Sequence, residues 1–148
     1  MENKLSWEQI AELSKKLAAM IKASGFEPDY LVGIAVGGLI PLGLLAEELD
    51  IRNILTVSAS SYEGKEQREI EIKYLPNIDL TGKKILLIDE VSETGKTLEH
   101  IANLLKEKYQ PSELRTATLV VNTKESKFHP DFYSMEAEEW MIFPWEKD

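Results

Sequence analysis

Residues 84–98, Lys-Ile-Leu-Leu-Ile-Asp-Glu-Val-Ser-Glu-Thr-Gly-Lys-Thr-Leu, constrain the fold more than any other stretch of the chain. An apolar run over 85–88 stops abruptly at two carboxylates, Asp89 and Glu90. Such a short aliphatic run with polar flanks predicts a buried strand. A polar loop over 92–97 then feeds a helical pattern that starts at Lys96. Helix N-termini carry unpaired N–H groups and a dipole that attract anions. Gly95 allows close backbone approach, and Thr94 and Thr97 add hydroxyls. The stretch therefore offers a phosphate cradle with a carboxylate pair just upstream. Carboxylates repel phosphate but bind sugar hydroxyls and Mg²⁺, so the combination suits a ribose phosphate.

Two other readings fit parts of the stretch. Asp89 and Glu90 could simply be polar residues at a strand end. Gly95-Lys96-Thr97 also looks like the tail of a P-loop, but that motif needs a glycine five residues earlier, where Glu90 stands. Charge at that point opposes a backbone wrap around phosphate, which sets the P-loop aside.

The surrounding pattern is α/β. Ser6-Trp7-Glu8-Gln9 has the capping-box form, and Ile10, Leu13, Leu17, Met20 and Ile21 follow at helical spacing up to Gly25. Residues 30–36 form the first expected core strand. Gly37-Gly38 comes next, then Pro41 in the first turn of a helix ending near Leu49. A glycine pair there either makes a tight turn or turns N–H groups toward an anion. Residues 53–60 predict a strand, 61–69 a charged loop, and Ile70, Ile72 and Tyr74 a half-exposed strand. Leu98, Ile101, Leu104 and Leu105 predict an amphipathic helix before Pro111, and 116–121 another strand. Alternating helices and strands imply one α/β domain over 1–148, with a mostly parallel sheet covered on both faces. Ligands in such sheets bind beyond the carboxyl ends of the strands, which gathers the glycine pair, the acid pair and the loop at Asn122 into one place.

Composition narrows the function. The 148 residues suffice for one domain with a core. A net charge of −9 argues against nucleic-acid or membrane-surface binding. No cysteine is present, so neither disulfides nor Cys-based metal or nucleophile chemistry is expected. His100 and His129 are far apart in sequence and make a weak metal pair. The N-terminus lacks a signal-peptide pattern, and the uncharged run 31–46 is broken by Gly37, Gly38 and Pro41. The expectation is a soluble, cytoplasmic protein.

With four apolar residues, two acids and Thr-Gly-x-Thr, the 85–97 stretch resembles the ribose-phosphate signature of the type I phosphoribosyltransferases. The resemblance extends over about residues 30–146. It implies that Asp89 and Glu90 grip ribose hydroxyls and help hold Mg²⁺. Val91, Ser92, Glu93, Thr94, Gly95, Lys96 and Thr97 would complete the ribose-phosphate site. Glu93 sits where purine-using members often carry an Asp that acts near N7 of the base. Val36, Gly37 and Gly38 would form the pyrophosphate loop, often preceded by a non-proline cis peptide. Residues 58–76, with Ser61-Tyr62 and Gln67-Arg68-Glu69, resemble the hood of the bacterial xanthine–guanine enzymes, which would bring Arg68 to pyrophosphate; a plain hairpin is the simpler reading of the same residues. Trp140-x-x-x-Pro144-Trp145-Glu146 resembles their purine platform. It implies that Trp140 stacks on the base and the Met141 backbone reads its edge; alone, this stretch reads as a core-closing aromatic strand.

Two positions depart from that pattern. Val36 replaces a common Arg, and Asn122 takes the place of a Lys that meets the 6-oxo group, with Lys124 two residues on. The resemblance implies transfer of 5-phosphoribosyl from 5-phosphoribosyl 1-diphosphate to a 6-oxopurine, by a homo-oligomer (dimer or tetramer). A catalytically weak or inactive nucleotide sensor on the same fold is the rival expectation.

Overall fold

The computed structural model describes residues 3–63 and 68–147. The hood tip at 64–67, and the side chains of Ser61, Tyr62, Glu63 and Arg68, lie outside the described residues.

Nine elements follow in the order α1 (Trp7–Ser24), β1 (Tyr30–Ala35), α2 (Leu39–Leu49), β2 (Ile54–Glu63), β3 (Arg68–Tyr74), β4 (Lys84–Ser92), α3 (Lys96–Tyr109), β5 (Glu113–Asn122) and β6 (Phe132–Ala137). The capping box forms as the sequence predicts: Ser6 Oγ accepts from Gln9 N at 3.1 Å, and Gln9 Oε1 accepts from Ser6 N at 2.8 Å. Gly25 ends α1 in the left-handed region, φ 83°.

The strands make one six-stranded sheet in the order β3-β2-β1-β4-β5-β6. Every pairing is parallel except β2 with β3. The sheet's order reverses direction between β1 and β4, and ligands in open α/β sheets bind at such a point.

β4 shows why the apolar run is continuous. Leu86 and Ile88 enter the cluster under α1 and α2, whereas Ile85 and Leu87 enter the cluster under α3. All four are fully buried. Successive strand side chains point to opposite faces, so a strand covered on both sides must be apolar at every position. Burial of side chains this size stabilises by roughly 1.5–3 kcal/mol each.

Four expectations change. The region read as a charged loop over 61–69 is largely ribbon: Ser61 pairs with Ile70, Tyr62 with Glu69 and Glu63 with Arg68. Two-stranded ribbons tolerate charge because both faces can meet water. β5 starts at Glu113, three residues before the expected 116. β6 had no counterpart in the sequence reading; its six residues pair with the edge of β5 directly after the 123–131 connection, without an intervening helix. Met20, expected on the apolar face of α1, is exposed. Among the described residues no helix is long and apolar enough to cross a membrane.

Candidate active site

A cavity of about 340 Å³ opens at the carboxyl ends of β1 and β4. β1 and the turn after it contribute Ile34, Ala35, Val36 and Gly37; β4 and its turn contribute Asp89, Glu90, Val91, Ser92, Glu93, Thr94, Gly95 and Thr97. Ala59 and Ser60 of β2 and the Trp140 indole complete much of the wall. A second cavity of about 140 Å³ shares Glu90, Val91, Glu93 and Trp140 and adds Met141, Phe143 and Glu146. The two share a wall, and Glu93 and Trp140 stand in both.

Glu90 is held against the glycine loop. A Cβ built on Gly37 would lie 1.5 Å from Glu90 Oε2, so any side chain there would push that carboxylate from its present place. A Cβ on Gly38 would meet the carbonyl oxygens of Ile34 and Ile88, each at 2.7 Å. The peptide between Ala35 and Val36 is cis, as the resemblance implies. Gly38 N donates to Ile34 O and Leu39 N to Val36 O, so neither of those two amides is open to an anion. Val36 itself is 79% exposed.

Asp89 is 7% exposed, and one of its oxygens accepts from Glu90 N at 2.9 Å. Burial pushes its carboxyl well above the usual carboxylate range, and the adjoining Glu90 carboxylate pushes it further. Two neighbouring acids in this setting suit a cation or sugar hydroxyl donors. No cluster of three or more His, Cys, Asp or Glu that could hold a metal occurs among the described residues. A Mg²⁺ site needs no such cluster, because one or two carboxylates plus substrate oxygens and water complete it. Asp89 and Glu90 fit that requirement.

The candidate phosphate cradle is the turn into α3. Gly95 caps the helix at φ 87°, and Thr94 Oγ1 accepts from Lys96 N at 3.3 Å. The connection after β5 braces this turn from behind. Lys127 N donates to Thr94 O at 2.9 Å, and Ser92 Oγ and Ser126 Oγ donate to Phe128 O at 3.0 and 2.8 Å. Phe128 also closes over Gly95, where a Cβ would fall 2.7–2.8 Å from its atoms. The sequence marks Asn122 and Lys124 in this connection, but nothing in its pattern gives 126–128 a supporting role. Serine and phenylalanine in a loop carry no signal that they will support another loop thirty residues away.

Asn122 is 3% exposed and lies behind the wall. Its Nδ2 donates to Glu93 Oε2 at 3.0 Å, and its Oδ1 accepts from Lys124 N and Glu125 N, each at 3.0 Å. Lys124 is exposed; neither it nor Asn122 lines either cavity, and Lys96 and Gly38 do not line them.

At the far end, Trp140 is 63% exposed while Met141 and Phe143 are buried. Phe143 and Trp145 stack at 4.8 Å, and Trp145 meets Trp7 at 5.9 Å. The tail thus both closes the core and presents one indole to the cavity. Its backbone is clamped by the N-terminal segment: Leu5 N donates to Ile142 O, Ile142 N to Asn3 O, and Asn3 Nδ2 to Trp140 O, at 2.8–2.9 Å.

Known proteins share this fold. The chain is 33% identical to a xanthine-guanine phosphoribosyltransferase of Cereibacter sphaeroides, over 96% of this chain and 85% of that one. The solved purine phosphoribosyltransferase of Pyrococcus horikoshii superposes with a TM-score of 0.86 at 32% identity, covering 98% of this chain and 94% of that one. The Helicobacter pylori xanthine-guanine-hypoxanthine phosphoribosyltransferase gives 0.87 at 28% identity, covering 97% and 93%. The phosphoribosyl transferase domain matches residues 3–147, and the chain therefore belongs to that family.

Proposed function

We propose that this protein is a purine salvage enzyme that transfers the 5-phosphoribosyl group of 5-phosphoribosyl 1-diphosphate to N9 of a 6-oxopurine. The carrying observation is the single crevice in which an acid pair, a helix N-terminus and an exposed indole converge. In the reaction the C1–O bond to diphosphate breaks, the N9–C1 bond forms, and pyrophosphate leaves.

Each residue has a task. The amides and hydroxyls of Thr94–Thr97 hold the 5′-phosphate at the start of α3. Asp89 and Glu90 bind the ribose hydroxyls, and their charge stabilises the cation that develops on the ring. Glu93 accepts the purine proton as N9 attacks. The Trp140 indole stacks on the base, an interaction of about 1–3 kcal/mol, and the Met141 backbone meets its edge. The amides of Val36 and Gly37 receive the leaving pyrophosphate, and Arg68 on the hood would add a cation there. Proteins of this family generally use Mg²⁺; held by Asp89 and Glu90, it would neutralise diphosphate charge and help the leaving group depart. A cytoplasmic homo-oligomer, dimer or tetramer, completes the proposal.

The test is direct. The protein is incubated with Mg²⁺, the diphosphate donor and guanine, hypoxanthine or xanthine, and nucleoside monophosphate is measured. Product from at least one base is expected. Nucleotide binding without turnover would favour the sensor reading instead. That reading draws on one observation: the described residues lining both cavities include no Lys, Arg or His.

A further inference from the structure

We propose that the base site of this protein selects against anionic purines, and that Asn122 is the specificity-determining residue. Xanthine loses a proton near neutral pH, whereas guanine and hypoxanthine stay neutral. The inference rests on the purine-transfer reading above and deepens it.

Four carboxylates, Asp89, Glu90, Glu93 and Glu146, stand among the described lining residues of the two cavities, with no basic side chain beside them. At the ribose end Asp89 and Glu90 have sugar hydroxyls to bind and a cation to share. At the indole end Glu93 and Glu146 line the second cavity together with Trp140, where the proposed base would lie. Glu146 Oε2 accepts from Phe143 N at 2.5 Å, and Glu93 Oε2 accepts from Asn122 Nδ2 at 3.0 Å. Each bond occupies one oxygen of its carboxylate and removes no charge.

Asn122 has no freedom to do otherwise. Two backbone N–H groups, of Lys124 and Glu125, both donate to its Oδ1 and so fix which end of the amide is oxygen. Its nitrogen must face Glu93. The partner that orients Glu93 is therefore neutral. The cationic side chain nearest in sequence, Lys124, lines neither cavity. A net charge of −9 adds to the local field.

A neutral purine brings ring N–H donors to these carboxylates. An anionic purine brings like charge against Glu93 in a partly enclosed site, where charges repel more strongly than in water. The discrimination arises from repulsion of the wrong base as much as from attraction of the right one.

The experiment compares kcat/KM for guanine, hypoxanthine and xanthine with the intact protein, saturating donor and Mg²⁺, at a pH where xanthine is mostly anionic. Guanine and hypoxanthine should exceed xanthine by about tenfold or more, equivalent to ~1.4 kcal/mol. Asn122→Lys sets an ammonium beside Glu93 and should raise the xanthine-to-guanine ratio about tenfold. Asn122→Asp keeps the turn's acceptor oxygen and should lower the ratio, which keeps the test open if the lysine variant does not fold. Xanthine used as well as guanine by the unaltered protein overturns the proposal, as does an unchanged ratio in a folded Asn122 variant. If no base gives product, the activity reading fails by itself. The dissociation constants of guanosine and xanthosine monophosphates, read from tryptophan fluorescence, then decide the charge preference: tighter guanosine monophosphate supports it and equal affinity overturns it.

Discussion

Asp89 shows how one residue divides function from stability. Its carboxyl is buried beside Glu90, and both burial and that neighbour oppose its charge. Asp89→Asn removes the desolvated charge and keeps an oxygen that can accept from Glu90 N. The folded state should gain about 1 kcal/mol, as other substitutions that relieve a strained site do. Thermal unfolding should show a higher Tm, while affinity for the diphosphate donor falls sharply. A lower Tm would mean that Asp89 contributes to folding more than its burial costs. In the proposed mechanism Glu93 acts differently, because its task there is at the base. Glu93→Gln retains a group that Asn122 Nδ2 can reach, yet accepts no proton. Steady-state kinetics should show kcat reduced about 100-fold with a smaller change in KM. Unchanged turnover would remove Glu93 from proton transfer.

At the scale of elements, the proposed phosphate cradle depends on two loops that lean on each other. The turn into α3 has the right backbone amides, but the connection after β5 holds it in place through Lys127, Ser92, Ser126 and Phe128. Gly95 lies where they meet. Alanine there would be strained at φ 87° and would press on Phe128 N and O, each at 2.8 Å. Gly95→Ala should therefore cost about 2 kcal/mol or more. Gly43→Ala is the contrast: its Cβ would meet nothing within 4 Å inside α2. That change should stabilise by about 0.5–1 kcal/mol. Denaturant unfolding of the two variants should move in opposite directions; movement in the same direction would mean the cradle can relax around a side chain.

Across the whole molecule, residues 3–5 meet residues 140–142 beside the proposed base site. Asn3 and Leu5 bond to the backbone that carries Trp140 and Ile142, so the N-terminal segment steadies the indole. Removing residues 1–4 keeps the buried Leu5 but deletes both Asn3 contacts. KM for the purine should rise several-fold, on the scale of one or two lost hydrogen bonds of about 1 kcal/mol each. KM for the diphosphate donor should change little, and equal effects on both would place the loss elsewhere. The sequence by itself determined the layered α/β plan, because a run such as 85–88 that is apolar at every position only suits a strand covered on both faces. It also marked the carboxyl end of β4, where charge follows that run without transition, and the indole at Trp140 through its motif. It did not disclose β6, whose short mixed sequence becomes a strand only because the edge of β5 is available to pair. Nor did it disclose that Asn122 bonds to Glu93, that Phe128 covers Gly95, or that Gly37 makes room for Glu90. Those contacts join residues far apart in the chain, and distance along a sequence carries no information about which side chains a packed interior will bring within 3 Å. Local pattern chose the elements; only their mutual packing decided which oxygen, amide and ring share one cleft.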